Sequence, residues 1–471
     1  MIHQPIIIKN ISLAFPHKTC FEGFSKQIYY GSRIALIGKN GSGKSTLLKI
    51  IQGLVEPSSG LIHIPQNITF GYVPQVINDH NDLSGGQRLN AVLTTALSQD
   101  PNVLCLDEPT NHLDAKNRTS LMRMLNAFDG TLIVVSHDVE LLRTCVDEIW
   151  HIDDGVISCF IGHYDDYLRE QHSRLENKIK QLEGLEKAQK KAKFAIQDEQ
   201  KRATGSVRIN AQENDRVLKG AMKEKGSKTV GKNTGKLNKL KESIDTQRKD
   251  LRLPEVIKPK FSLATILSGK KLLVTVTGGS CGYKNPVLKN IHLSIGSQEH
   301  VAIMGDNSSG KSTLIKAVQG DASVTRSGEW VVPKQREIGY LGQHYDTLPA
   351  ESTVFEVIQN HVTNWTNAGI RRHLNDFLFR KNEEVMAKVK TLSGGEKARL
   401  SLALIAAQTP RLLLLDEITN NIDLETREHI IEVLKEYPGA IMVISHDQDF
   451  LNRISIDTTY IIREGTLHQI L

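Results

Sequence analysis

No run of about 18 apolar residues occurs anywhere in this chain of 471 residues, so no transmembrane helix is expected. The opening stretch Met1-Ile-His-Gln-Pro-Ile-Ile-Ile-Lys is too short and too broken for a signal peptide and reads instead as a first strand. Cysteine is scarce. The five residues Cys20, Cys105, Cys145, Cys159 and Cys281 are an odd number without a C-x-x-C pair. That excludes a disulfide framework and fits reduced, mostly buried thiols in a cytoplasmic protein. The histidines form no H-E-x-x-H or mixed His/Cys grouping, so no transition-metal site is expected. With 39% apolar and 24% charged residues, the composition is that of a globular chain with room for two or three domains.

What is present in excess is basic charge in one place. Residues 161–260 hold 25 lysines and arginines against 15 acidic residues, a surplus of ten, whereas the whole chain carries +6. The remainder is therefore net −4. A basic central segment points to a polyanionic partner, nucleic acid first. A solvated charged linker is the plainer alternative.

A phosphate loop of the form G-x-x-x-x-G-K-S occurs twice. The first copy reads Gly38-Lys-Asn40-Gly41-Ser-Gly43-Lys44-Ser45-Thr46 and the second Gly305-Asp-Asn307-Ser-Ser-Gly310-Lys311-Ser312-Thr313. Each follows a short apolar run and precedes a helical pattern, the strand–loop–helix context that such a loop requires. Backbone N–H groups wrap the phosphates, glycine permits the close approach, and the helix N-terminus favours the negative charge. Lys44 and Lys311 are expected to reach the β- and γ-phosphates of ATP, and Ser45 and Ser312 to ligate Mg²⁺.

Further elements follow each loop in the same order. A glutamine ends a strand pattern at Gln75 and Gln343. A Leu-Ser-Gly-Gly segment comes next, with Ser84, Gly85 and Gly86 in the first copy and Ser393, Gly394 and Gly395 in the second. Apolar strands then end in Asp107-Glu108 and Asp416-Glu417, and a last strand ends in Ser-His-Asp at His137 and His446. Acids at the C-terminal edge of a buried parallel sheet stand where ligands bind in open α/β folds. Asp107 and Asp416 are suited to hold the metal, and Glu108 and Glu417 to orient and polarise a water. Phe15 and Tyr283 precede the loop lysines by 29 and 28 residues, where an aromatic ring can stack on adenine, with ordinary core the plainer alternative for either.

This order and spacing resemble the ATP-binding cassette (ABC) ATPases over nearly the whole chain outside its centre. The resemblance implies that His137 and His446 are switch histidines touching the γ-phosphate, and that Gln75 and Gln343 sense Mg²⁺ and the water. It also implies that each Leu-Ser-Gly-Gly segment caps the nucleotide bound to the other cassette. One site would then pair the 38–46 loop with Ser393, Gly394 and Gly395, and the other the 305–313 loop with Ser84, Gly85 and Gly86.

The spacing between copies changes part-way along. The loop lysines differ by 267 and the glutamines by 268, but the signature leucines, the glutamates and the histidines all differ by 309. The first copy therefore lacks about 41 residues between Gln75 and Leu83, where a cassette carries its helical subdomain. The second keeps that region at 344–391, with helical patterns near Val354–Ile358 and Ile370–Phe377. In transporters this subdomain helps dock the membrane subunits, so its loss argues against transport.

In the centre, Tyr164, Leu168, Leu175, Ile179, Leu182 and Leu185 recur at helical spacing, predicting a helix over about 164–200. A second helical pattern covers about 235–251, and the polar stretch 203–235 between them reads as the tip of an antiparallel hairpin. Lys201, Arg202, Arg208, Arg216, Lys219, Lys223, Lys225, Lys228, Lys232 and Lys236 form a phosphate-contacting set there. Phe194 alone stands near the tip to stack on a base, so sequence-specific readout has no support. Pro254 and Pro259 punctuate the chain before the second cassette.

The predicted fold is thus α/β: two P-loop ABC-type nucleotide-binding domains, at 1–160 and 261–471, joined by a long antiparallel helical hairpin at 161–260. Tandem cassettes, a charged helical linker, Asp107-Glu-Pro-Thr-Asn-His-Leu-Asp114 and Gly162-His-Tyr-Asp-Asp-Tyr167 resemble the ABC-F family, and most closely its antibiotic-resistance branch. The resemblance implies an ATP- and Mg²⁺-dependent ATPase, monomeric, pairing its cassettes within one chain. It implies binding to the ribosome at the tRNA exit site through rRNA, with peptidyl-tRNA a further contact left open. A general translation factor of the same family, a tandem transporter subunit and a DNA-associated ABC ATPase are the competing readings. Two departures from the family pattern, Ser308 in place of glycine and Ile418 in place of proline, make the 305–313 site the expected weaker one.

Overall fold

A computed structural model describes residues 4–15, 18–75, 85–111, 113–209, 272–342, 345, 348–362, 364–419 and 422–470. The chain divides into two compact units, one formed by residues 1–165 with 256–471 and the other by 166–255.

Within the first unit, each cassette is built on two sheets. The first cassette has a six-stranded sheet in the order Phe70–Val73, Val103–Asp107, Thr131–Val135, Arg33–Gly38, Glu148–Asp153, Val156–Ile161. Its first five strands run parallel and the last antiparallel. Every residue of Val103–Asp107 and Thr131–Val135 is buried, which is why these segments read as unbroken apolar runs rather than alternating ones. A second sheet, ordered Lys18–Ile28, Ile6–Phe15, Ser59–His63, is antiparallel. The helix Lys44–Ile51 is wedged between the two. Its Leu47, Leu48, Ile50 and Ile51 are buried in one core with residues of both sheets, including Phe21, Cys105 and Trp150. Phe24 meets Trp150 edge to face at 5.0 Å.

The second cassette repeats this plan. Its six-stranded sheet runs Ile338–Gly342, Leu412–Asp416, Ala440–Ile444, His300–Gly305, Thr458–Arg463, Thr466–Ile470, and Lys311–Gln319 takes the place of Lys44–Ile51. The other face of this sheet carries what the first cassette lacks. Helices Val354–Gln359, Asn367–Asp376 and Asn382–Val385 lie between Ile338–Gly342 and Gly394–Gln408. Val357, Ile358, Ile370, Leu374 and Phe377 join Leu413, Leu415, Ile441 and Val443 in one buried cluster. Thr353 starts the first of these helices through a capping box with Glu356.

The predicted central helix exists and is longer than its apolar spacing indicates. It runs from Tyr164 to Ile209, 46 residues, or roughly 70 Å at ~1.5 Å per residue. It therefore takes in residues 203–209, read from sequence as part of the polar tip. Once nucleated, a helix propagates at little cost through residues that would not start one. Arg174 pairs with Glu170 and His172 with Glu176 along its surface, the i,i+4 support expected of an exposed helix. The rest of the tip, the 235–251 helix, Pro254 and Pro259 lie outside the described residues. Among the described residues, no helix is long and apolar enough to cross a membrane.

Candidate functional site

Each phosphate loop is held between the end of a buried strand and the start of a buried helix, so its shape is imposed by the core on either side. Gly43 and Gly310 precede their helices in the left-handed region, at φ 97° and 105°. A side chain at Gly43 would meet Leu13 and Cys20 at 3.0 and 3.1 Å. Lys44 is folded back over its own loop, its Nζ donating to the carbonyls of Gly38 at 2.7 Å and Lys39 at 3.1 Å. Lys311 does the same toward Gly305 and Asp306, both at 2.9 Å. Burial lowers the pKa of both lysines, an ammonium shielded from water and ready to exchange carbonyl partners for phosphate oxygens. The loops differ at one backbone position. Gly41 has φ 74°, and its counterpart Ser308 has φ 63°, a conformation that costs a residue with a Cβ.

The paired acids sit above the loops at the strand ends. Glu108 and Glu417 also lie in the left-handed region, at φ 51° and 49°. Each is pinned there by a backbone bond to the neighbouring strand, Glu108 N–H to Val135 O at 2.8 Å and Glu417 N–H to Ile444 O at 2.9 Å. Backbone strain held in place this way, in both copies, is characteristic of functional positions. Ser45 donates to Asp107, and Ser312 Oγ to Asp416 Oδ1 at 3.3 Å. Burial raises the pKa of Asp107 and of Asp416. Burial also pushes Glu108 up to about 8, against the opposing pull of Lys44, and pushes His137 down to about 3, with Lys44 adding to the shift. His137 Nε2 lies 3.3 Å from Glu108 Oε1, and His446 Nε2 4.0 Å from Glu417 Oε1. His446 is likewise lowered by burial and then by Lys311.

Those of the first cassette converge on a cleft of about 340 Å³, lined by Phe15, Lys44, Gln75, Asp107, Glu108 and His137 among others. Asn40, Gly41, Gly43, Ser45 and Thr46 contribute its floor, together with Asn111, which the sequence analysis did not single out. Phe15 is half exposed at 51%, its ring free to take a stacked base, and Tyr283 is similarly open at 46%. Asp107 Oδ1, Glu108 Oε1 and both ring nitrogens of His137 are buried without a hydrogen-bond partner among the described residues. Buried polar atoms in that state are costly unless a ligand satisfies them. A hydroxyl, a carboxylate with a spare oxygen and a glutamine amide, all oxygen donors facing a phosphate loop, are the donor set that Mg²⁺ takes when shared with phosphates.

The second signature segment lies outside this cleft. Ser393 caps the helix Gly394–Gln408, its Oγ donating to Glu396 Oε2 at 2.6 Å. It does not line the Lys44 cleft, nor do Gly394 and Gly395. Gly395 abuts Thr426 and Asp423, where an added Cβ would come within 2.8 Å of Thr426 Oγ1. Gly85 and Gly86 begin the helix Gly85–Leu97. Ser84 and Gln343 lie outside the described residues.

What crosses to the first loop is Asp423. It caps the helix Leu424–Lys435, accepting from Thr426 N–H at 2.8 Å, and its other oxygen accepts from Asn40 N–H at 3.0 Å. Burial would raise its pKa, but the Asn40 and Thr426 N–H groups hold it below the usual value. Two residues on, Glu425 pairs with Lys39 at 2.9 Å. Sequence reasoning missed these pairings, although a signal was present: an aspartate stands seven residues after the strand-end acid in both copies, at Asp114 and Asp423.

The family described as ABC transporter matches residues 21–71 and 288–420, and one described as an AAA domain matches residues 79–143. The chain is 30% identical to the ribosome protection protein VmlR of Bacillus subtilis, over 99% of this chain and 88% of that one. It is 29% identical to the ATP-binding protein Uup of Buchnera aphidicola subsp. Schizaphis graminum, over 95% of this chain and 79% of that one. Among solved structures, the complex of archaeal ribosomal stalk protein aP1 with the ribosome recycling factor aABCE1 matches at a TM-score of 0.60 and 16% identity. That match covers 98% of this chain and 90% of the other and shows a shared fold.

Proposed function

The chain belongs to the ABC-F family of tandem-cassette ATPases, and we propose that it binds the ribosome near the tRNA exit site and protects it against antibiotics. It hydrolyses ATP. In the proposed mechanism Lys44 and Lys311 hold the β- and γ-phosphates, while Phe15 and Tyr283 stack on adenine. Ser45 with Asp107 and Gln75, and Ser312 with Asp416 and Gln343, would hold Mg²⁺, which when bound neutralises charge on the phosphates. Glu108 and Glu417 orient the attacking water and take its proton, and His137 and His446 contact the γ-phosphate. The signature segments 84–86 and 393–395 then close over the nucleotide held by the opposite cassette, and hydrolysis lets the halves part.

The observation that carries the ribosomal reading is the helix Tyr164–Ile209, leading into the basic segment, on a chain whose first cassette has only nine residues between Gln75 and Gly85. The likeness to a protein named for ribosome protection, end to end at 30% identity, supports the same reading. Protection would take place in the cytoplasm, on rRNA near the peptidyl-transferase centre. The test is drug susceptibility of a host with and without the gene, using antibiotics that bind near that centre. Raised resistance is expected. A host equally sensitive in both states, with the protein still sedimenting with ribosomes, would favour a general translation factor of the same family.

A further inference from the structure

Away from the nucleotide clefts, two arginines of the first cassette reach the switch segments of the second. Arg118, on the helix Ala115–Ala127, is 9% exposed. Its Nε lies 3.2 Å from Asp138 Oδ2, and its Nη1 donates to the backbone carbonyl of His446 at 3.4 Å. Asp138 directly follows His137 and caps the helix Val139–Cys145, accepting from Glu140 and Leu141 N–H at 3.0 and 3.2 Å. One buried guanidinium therefore touches the residue beside one switch histidine and the backbone of the other.

A second link runs alongside. Arg143 Nη1 donates to Asp449 Oδ1 at 3.1 Å, and Asp449 Oδ2 accepts from Arg427 at 2.8 Å. Arg427 in turn forks onto both oxygens of Asp447, at 3.0 and 3.1 Å, and Asp447 follows His446. The offset of 309 maps Arg118 onto Arg427 and Asp138 onto Asp447, so each cassette ties its own switch aspartate to an arginine. It maps Arg143 onto Asn452, so the cross-cassette link from Arg143 has no counterpart from the other side. A cleft of about 200 Å³ between Arg118, Arg143, Asp138, Asp447 and Asp449 leaves the linked segments room to shift. Arg118 is buried, whereas Arg143 is partly exposed and also pairs with Asp165 at 2.9 Å; through these two links, displacement of one switch segment would pull on the other.

We infer that Arg118 and Arg143 are positioning residues that couple the two ATP sites, passing the state of one switch histidine to the other. This rests on the ATPase activity and is independent of the ribosomal proposal. The test is additivity of turnover. Glu417→Gln leaves the first site active and Glu108→Gln leaves the second, and uncoupled sites would give two rates that sum to that of the parent. With Arg118 and Arg143 intact, the sum should fall short of the parent by about fivefold or more, the low end of typical coupling between sites. In an Arg118→Gln/Arg143→Gln background the two rates should add to their own parent within about twofold. The same shortfall in both backgrounds, or additive rates in the unaltered chain, would overturn the inference. Should the double variant unfold early in a thermal melt, Arg143→Gln alone at its exposed position and Arg118→Lys serve in its place. The first should reduce the shortfall, and the second, which keeps the charge facing Asp138, should retain part of it. No change from Arg143→Gln together with no difference between Arg118→Lys and the parent would also overturn it.

Discussion

His137 Nε2 stands 3.3 Å from Glu108 Oε1, both side chains buried, whereas the matching atoms of His446 and Glu417 are 4.0 Å apart. The first pair is the more tightly drawn, and Asp423 and Glu425 of the other cassette reach the loop beside it. On the proposed mechanism the glutamate orients the water, so removing its basicity should stop the chemistry and leave the phosphate held in place.

Glu108→Gln with Glu417→Gln is accordingly expected to lower phosphate release by about 10²-fold or more, as loss of a positioned base does. ATP binding should survive, and the protein should remain with ribosomes through a sucrose gradient run with ATP. Phosphate release at the unaltered rate would show these glutamates to be misassigned.

The two sites are expected to be unequal. Lys44→Ala should reduce turnover more than Lys311→Ala, because Ser308 holds the second loop at φ 63° with a side chain that disfavours it. Ser308→Gly should raise stability by about 1 kcal/mol, read from the thermal midpoint, and narrow the difference between the two lysine variants. Equal losses from the two lysine changes would count against the asymmetry.

His373 offers a pH test remote from the nucleotide. It is buried in the helical subdomain, its Nε2 donating to Ala403 O at 2.7 Å, with Trp365 and Phe377 against its ring. Burial lowers its pKa below the ordinary histidine value. A folded-state pKa below the unfolded one means that the unfolded chain binds the extra proton first as the medium acidifies. The contribution is therefore present above about pH 6.5 and is lost as pH falls through the histidine range. Thermal midpoints between about pH 7.5 and 5 should fall less steeply in His373→Gln than in the parent. Parallel curves would reject the assignment.

Replacing residues 210–235 with a short Gly/Ser loop leaves the helix Tyr164–Ile209 whole and removes Arg216, Lys219, Lys223, Lys225, Lys228 and Lys232. ATP binding should be spared, since no cassette motif lies there. Ribosome affinity should become less salt-dependent, the slope of log K against log salt falling by roughly one for each phosphate that is no longer neutralised. An unchanged slope with full cellular function would make the segment a tether.

The order of motifs determined most of what this protein is. Glycine at tight turns, acids at the ends of wholly apolar strands and lysine at a helix start are each required by local geometry, so residue type and spacing locate the two loops, Asp107-Glu108 and Asp416-Glu417, whereas His137 and His446 are singled out only through the family resemblance. The change of offset from 268 to 309 marks a missing stretch of about 41 residues from spacing, and the family resemblance identifies that stretch as the helical subdomain. The length of the helix beyond residue 200 was not legible, because its last turns carry no apolar stripe. Nor were the meetings of residues hundreds of positions apart: Asn40 with Asp423, Lys39 with Glu425, Arg118 with His446, Arg143 with Asp449. Each joins two surfaces whose local patterns are complete without the other. Nothing in the spacing of either cassette says which face of it the other will meet, and only the packed pair decides that.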